Sequence, residues 1–504
     1  MLTDDDLKEA RLAAMHETCA GAPSVPSNPF FGVGPISDGS TDEADRVERR
    51  HAFERWVTER YRKYDDCGQD LGGFTVSELA RSMHRGEPAD SILTDMMRTI
   101  HRYFELPKQN RMAIGLGGGH TGFTVCVQHL MTLQDAEQHV FVDTPHPETP
   151  ASAASGFFRQ SWATQIIELC QLSRGGTVER LHFAQDDGTL PDAAELTKRG
   201  IKLFIGVGHE TTGASTYSAS EMVELLRWLD VDPDNHHAII DATSLLGAMP
   251  WPEDVVAQVL SKCCLFMPLQ KAIGGVAGYF VASFTPQALA KIDRNVADPS
   301  WSIARQLSLA VPVDPALPLT GRRSVEKGPF YDPEADRMCG GVINTYSLLA
   351  FAETTFGLLS LEHELGPMSD LNARSTSNRA EIEDWVANEP LFDFVVETPN
   401  KRGSAVTLLR VNDPDFADVH GRILGRAKQL LGYQGITHPD GMHEPGLNAA
   451  LYVNAFPGKP GDFRAWIGGV RTGADIRALL ENLRYAWQRA KVLVIEEILA
   501  ERAA

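Results

Sequence analysis

Short apolar runs recur along this chain at intervals long enough to hold a helix between them. Val140-Phe141-Val142, Leu203-Phe204-Ile205-Gly206-Val207, Ala238-Ile239-Ile240 and Gly278-Tyr279-Phe280-Val281-Ala282 are too short for core helices and lack polar alternation. Continuous apolar runs of that length fit strands buried on both faces. Strands alternating with helices imply an α/β fold whose sheet is mostly parallel and covered on both sides. In such sheets chemistry collects at the carboxyl ends of the strands. At 504 residues and 43% hydrophobic content, with no internal repeat, the chain can fill more than one ordinary core.

Two of the run ends carry reactive side chains. Asp241 closes Ile239-Ile240-Asp241-Ala242-Thr243-Ser244, and 30 positions later Lys271 stands in Phe266-Met267-Pro268-Leu269-Gln270-Lys271-Ala272-Ile273-Gly274-Gly275. An aspartate at a strand end is commonly a helix cap, and a lysine near glycines a solvated loop charge. Together they also fit pyridoxal 5'-phosphate chemistry: the amine forms a Schiff base with the cofactor aldehyde, and the carboxylate keeps the pyridine nitrogen protonated. A third element favours the second reading. Leu116-Gly117-Gly118-Gly119-His120-Thr121 follows Met112-Ala113-Ile114, and glycines opening a helix let backbone N–H groups converge on a phosphate.

With these residues in order, the chain resembles the class V aminotransferases, and within them the phosphoserine aminotransferase family, the actinobacterial type most of all. The resemblance rests on Asp241-Ala242-Thr243-Ser244, Pro268-Leu269-Gln270-Lys271, Phe31-Gly32-Val33-Gly34-Pro35, His209-Glu210-Thr211, Asn344-Thr345 and Phe463-Arg464-Ala465, and spans roughly residues 30 to 490. It implies fold type I: a large domain around a seven-stranded, mostly parallel sheet, with a smaller α/β C-terminal domain. On this chain that gives an N-terminal extension over 1–30, a large domain over 31–345 and a small domain over 346–504. Residues 301–341, rich in proline and glycine, read as a long excursion. Helical spacing is expected over 44–63, 346–364 and 474–502.

The resemblance also implies roles. Lys271 and Asp241 are catalytic; Gly118, Gly119 and His120 form the phosphate cup; Trp162 stacks on the cofactor ring; Thr211 and Gln270 hold the cofactor. Asn344 and Thr345 reach the phosphate of a neighbouring subunit, which implies a homodimer with shared active sites. Arg464 takes the α-carboxylate of an amino-acid substrate, for which a planar guanidinium suits.

Departures from the pattern bear on the substrate. Where the family grips its substrate phosphate with Ser-His-Arg, this chain reads Ile36-Ser37-Asp38-Gly39-Ser40-Thr41-Asp42-Glu43. Ala272 replaces an asparagine after the lysine, and His209 replaces the asparagine of Asn-Glu-Thr. An amino acid other than phosphoserine is therefore expected, by transamination or, alternatively, by γ-elimination or replacement on an S-adenosylmethionine-like substrate in natural-product biosynthesis.

The formal charge of −20 argues against nucleic acid or an anionic membrane as main partner. No run of 18 apolar residues and no basic, apolar leader opens the sequence, so a cytoplasmic protein is expected. The seven cysteines form no Cys-x-x-Cys pair and read as buried free thiols. His146, His236 and His237 lack metal-ligand spacing, so no metal site is expected.

Overall fold

The computed structural model describes residues 2–27, 43–65, 67–82, 88–131, 138–149, 155–172, 180–184, 188–298, 301, 303–314, 316, 322–340, 346–438, 440–458 and 460–503. Its main sheet has nine strands among these residues: β1 Arg111–Leu116, β2 His139–Val142, β3 Leu181–Phe183, β4 Ile201–Val207, β5 His237–Asp241, β6 Cys264–Pro268, β7 Tyr279–Phe284, β8 Phe330–Asp332 and β9 Arg337–Met338. Their order is β9-β8-β1-β7-β6-β5-β4-β2-β3. From β6 to β3 every pairing is parallel. β7 runs antiparallel to both β6 and β1.

The strands from β1 to β3 number seven, as the resemblance implies; six of them fall on the apolar runs read in the sequence, and β3 Leu181–Phe183 does not. The other two come from the expected excursion: β8 pairs with β1 and turns back into β9. Strands of three and two residues amid turn residues give no readable apolar run. Their place is nonetheless specified, because Phe330 and Tyr331 are buried against opposite faces of the sheet and cover an edge that β1 would otherwise expose.

The central strands of the main sheet send alternate residues into two different cores. Ala238 and Ile240, with Leu265 and Met267, join the helices Ala89–Tyr103, Ala219–Val231, Glu253–Lys262 and Leu348–Leu365. Ile239 and Phe266 point the other way, into the helices Gly119–Leu130, Phe157–Leu172 and Pro286–Ala297. This is the period-two geometry of a pleated strand with helices on both faces. Local signals start the helices: Ser218 and Glu221 form a capping box, and Thr285 caps a helix with proline in its first turn.

A third core surrounds a smaller antiparallel sheet of β10 Phe392–Phe394, β11 Val406–Val411 and β12 Phe463–Trp466. The helix Met368–Asn388 spans two cores, with Leu371 in the first and Ile382 in the third. The helix Asp4–Glu17 also belongs to the third core: Leu7 is buried there, and Arg11 Nε donates to Glu496 on the helix Gly473–Ala503 at 2.9 Å. The helix Glu43–Arg60 keeps Arg49, Arg50 and His51 exposed. Among the described residues no helix is long and apolar enough to cross a membrane.

Candidate active site

Strand β6 ends at Pro268 because the chain must leave the sheet there. Leu269 N–H donates to Tyr279 O at 3.0 Å, Gly274 N–H to Lys271 O at 2.9 Å and Gly275 N–H to Leu269 O at 2.7 Å, folding residues 269–275 into a compact loop. A Cβ on Gly275 would lie 2.4 Å from Thr354 Oγ1, so this position requires glycine. The loop is tied to the end of the neighbouring strand by Ala272 N–H donating to Thr243 O at 3.2 Å. Lys271 and the Asp241 segment are thereby held together, as the parallel register of β5 and β6 dictates. The Lys271 amine is partly buried, with no hydrogen bond or ion pair to another described residue. Burial first, and the charge of Arg464 second, push it below its ordinary value.

Asp241, at the end of β5, is 3% exposed. Its Oδ1 accepts the Thr243 N–H at 2.9 Å and the Thr243 hydroxyl, while Oδ2 accepts the Trp162 indole N–H at 2.9 Å. Burial pushes the carboxyl up to about 6 in spite of these donors.

The glycine turn follows β1. Gly117 adopts φ +109° with Thr121 packed where a Cβ would stand, and Gly118 caps the helix Gly119–Leu130. The first N–H groups of that helix have no intrahelical acceptor. A Cβ on Gly118 would meet open space, and one on Gly119 would lie 3.7 Å from Trp162. Gln165 fixes His120: its amide nitrogen donates to His120 O at 3.0 Å and to Thr124 Oγ1, so its oxygen must accept from His120 Nδ1 at 2.8 Å.

Trp162 does not offer a face to a cofactor. It is 2% exposed, with Phe123 stacked at 4.7 Å and 8°, and with His120 and Phe266 edge-on. The stacking role that the resemblance implies for it is corrected by this burial: the indole meets Asp241 with its N–H edge instead. One turn earlier Phe158 stays half-buried, 6.2 Å from the Trp162 ring.

The Thr211 hydroxyl pairs with Ser244 Oγ at 2.7 Å, directly after the Asp241 segment. Gln270 Oε1 is buried without a hydrogen-bond partner. Arg464 lies on β12 opposite Leu408; its Nε donates to Asn454 O at 3.4 Å, and burial pushes its guanidinium below the ordinary value. It has no carboxylate partner among the described residues, and its charge acts on Lys271. Asn344, Thr345 and the segments 31–35 and 36–42 lie outside the described residues.

A buried network behind the site went unread in the sequence. Arg159 donates to Asp143 at 3.2 Å, Tyr217 donates to the same carboxylate, and Glu210 accepts the Arg159 N–H at 3.0 Å and the Thr212 hydroxyl at 2.6 Å. It fixes the turn that presents Thr211. His209 is buried with neither ring nitrogen partnered, and burial pushes it down to about 3. Among the described residues no cluster of three or more His, Cys, Asp or Glu side chains is arranged for a metal ion. Cys126, Cys170, Cys263 and Cys264 are buried free thiols, whereas Cys19 and Cys67 are exposed.

No family model matches the chain. Along 426 residues it is 21% identical to a phosphoserine aminotransferase of Methanosarcina mazei, covering 83% of this chain and 94% of the relative. Its fold matches the PLP-bound phosphoserine aminotransferase of Trichomonas vaginalis with TM-score 0.55 and 14% identity, over 91% of this chain and 99% of that one. An alanine–glyoxylate aminotransferase of a Nostoc species matches with TM-score 0.56 and 13% identity, over 92% and 96%. The chain is thus similar, at low identity, to phosphoserine aminotransferases, and it shares the fold of the aminotransferase structures it matches.

Proposed function

We propose that this chain is a pyridoxal 5'-phosphate-dependent aminotransferase acting on an α-amino acid other than phosphoserine. The observation that carries this reading is the Lys271 amine, partly buried and without a carboxylate partner among the described residues, on a loop bonded to the Asp241 segment and within electrostatic reach of Arg464. The surrounding groups fit the cofactor: a buried carboxylate at a strand end for the ring nitrogen, and open space over Gly118, where the first N–H groups of the helix Gly119–Leu130 have no intrahelical acceptor. When bound, pyridoxal phosphate supplies an aldehyde for amine exchange and a ring that accepts electrons.

The chain's own residues divide the remaining work. The N–H groups after Gly118, with His120 and Gln270, would hold the phosphate end; Asp241 would pair with the ring nitrogen; Thr211 and Phe158 would bear on the ring. Lys271, biased toward its uncharged form, takes the α-proton and returns it. Arg464 grips the substrate carboxylate through paired N–H donors. Asn344 and Thr345 of a second copy complete the phosphate cup, making the working unit a homodimer. Asp38 and Asp42 repel a substrate phosphate where the relatives' pattern has a histidine and an arginine.

The relatives act by amino transfer, and nothing in the site favours the γ-replacement reading. The test is to titrate the purified protein, loaded with pyridoxal phosphate, with single amino acids including phosphoserine, glutamate, alanine and S-adenosylmethionine. The visible band and keto-acid yield are followed together. Stoichiometric keto acid from one donor, with phosphoserine inert, supports the reading; turnover of phosphoserine above the others sinks the substrate assignment.

A further inference from the structure

The contact between Trp162 and Asp241 has no counterpart among the roles assigned so far. The indole cannot turn away: Phe123 lies flat on it at 4.7 Å, and His120, Phe266 and Phe158 close on it at 4.7, 5.9 and 6.2 Å. Its one polar atom then points at Asp241 Oδ2 from 2.9 Å. The other oxygen is held by Thr243 from within the same turn. Three donors from two elements thus converge on one buried carboxylate, and a carboxylate has room for a fourth.

We propose that Trp162 is the positioning residue of Asp241: its indole N–H, held by the Phe123 stack, fixes the carboxylate in one orientation and in its ionised form, so that it receives a cationic ring nitrogen without rearranging. The physical need is plain. A carboxylate out of water reverts to its neutral acid unless hydrogen bonds stabilise the charge, and a neutral Asp241 would not hold the ring nitrogen protonated. Burial and the charge of Glu210 both work toward the neutral acid; Trp162 works against them. Titratable groups on the elements around it include His120 and Cys126 on the glycine-turn helix, Arg159 on the helix of Trp162, His209 after β4, Cys264 on β6 and Lys271 after it. The inference rests on the functional reading above for the ring nitrogen, while the hydrogen bond itself can be tested without it.

The test compares the full chain, Trp162→Phe, Asp241→Asn and the double variant, each folded by circular dichroism. Uptake of pyridoxal phosphate by absorbance and the melting temperature without added cofactor are both measured against pH. Trp162→Phe keeps a ring against Phe123 but loses the donor. It is expected to move the pH midpoint of uptake up by about one unit, so that uptake weakens up to roughly 10-fold on the acid side of the midpoint and only about twofold near neutral pH, and converges on the wild type in alkali. Both effects vanish in the Asp241→Asn background. A pH profile unchanged by Trp162→Phe, or an equal loss in the double variant relative to Asp241→Asn alone, reduces Trp162 to packing and overturns the inference. Should Trp162→Phe not fold, Phe123→Leu loosens the stack while keeping the N–H, and an upward midpoint shift smaller than one unit is expected; no shift overturns the inference. A wild type that takes up no pyridoxal phosphate at any pH overturns the functional reading, and the melting curves then decide the inference alone.

Discussion

The two strand ends that make the site are built in opposite ways. At the end of β5 the Asp241 carboxylate has Thr243 on one oxygen and Trp162 on the other, in a position 3% exposed. One strand away Lys271, and on the smaller sheet Arg464, are partly buried basic groups with no anion from the described residues. A satisfied group is a fixed part of a scaffold, whereas burying an unsatisfied one costs free energy that only a ligand can recover. The contrast separates the half of the site that holds still from the half that waits for something to bind.

The sharpest way to break that contrast is Lys271→Ala, which should lower turnover at least 10³-fold and abolish the visible band of the loaded protein. Retained turnover would place the reactive amine elsewhere. Next, Arg464→Ala should lower kcat/KM roughly 10²-fold through loss of a bidentate carboxylate contact, and Arg464→Lys should recover little of it. Steady-state kinetics in which lysine restores full activity would deny the planar grip.

A third test sharpens the other side. Because the folded Asp241 carboxyl holds its proton more tightly than the unfolded one, its contribution to stability is complete in acid and is lost as pH rises from 3.8 through about 6. The loss amounts to about 3 kcal/mol. Cofactor-free wild type should therefore fall relative to Asp241→Asn across that window in denaturant unfolding; parallel curves would mean the carboxyl is not strained by burial. The smallest effect expected is from Gly275→Ala, which forces Thr354 aside and should cost about 1–3 kcal/mol, with Thr354→Ala relieving part of it. An unchanged melting temperature would show that the Lys271 loop is looser than its hydrogen bonds imply.

The reactive half of the site was legible in the sequence because its chemistry sits on strand ends: an apolar run followed by Asp241, and another followed by Lys271, read the same way in one dimension as in three. The Arg159–Asp143–Tyr217–Glu210 network was not, since four residues from different elements each resemble a surface polar group until the fold buries them together. Trp162 shows a finer limit. The resemblance implies a place for it beside a cofactor, and the structure sets it against Asp241, but whether it offers a face or an edge depends on the phase of the helix Phe157–Leu172 and on Phe123. The hairpin β8–β9 escaped because two- and three-residue strands have no period to detect.

The docking of Arg11 on Glu496 joins residues 485 positions apart. During synthesis at 5–20 residues per second the helix Asp4–Glu17 emerges roughly 25–100 s before its partner exists. Leu7 and its neighbours must spend that interval without their core, so this helix is secured only once the helix Gly473–Ala503 has been made. Removing the helix Gly473–Ala503 would strand the helix Asp4–Glu17 as well.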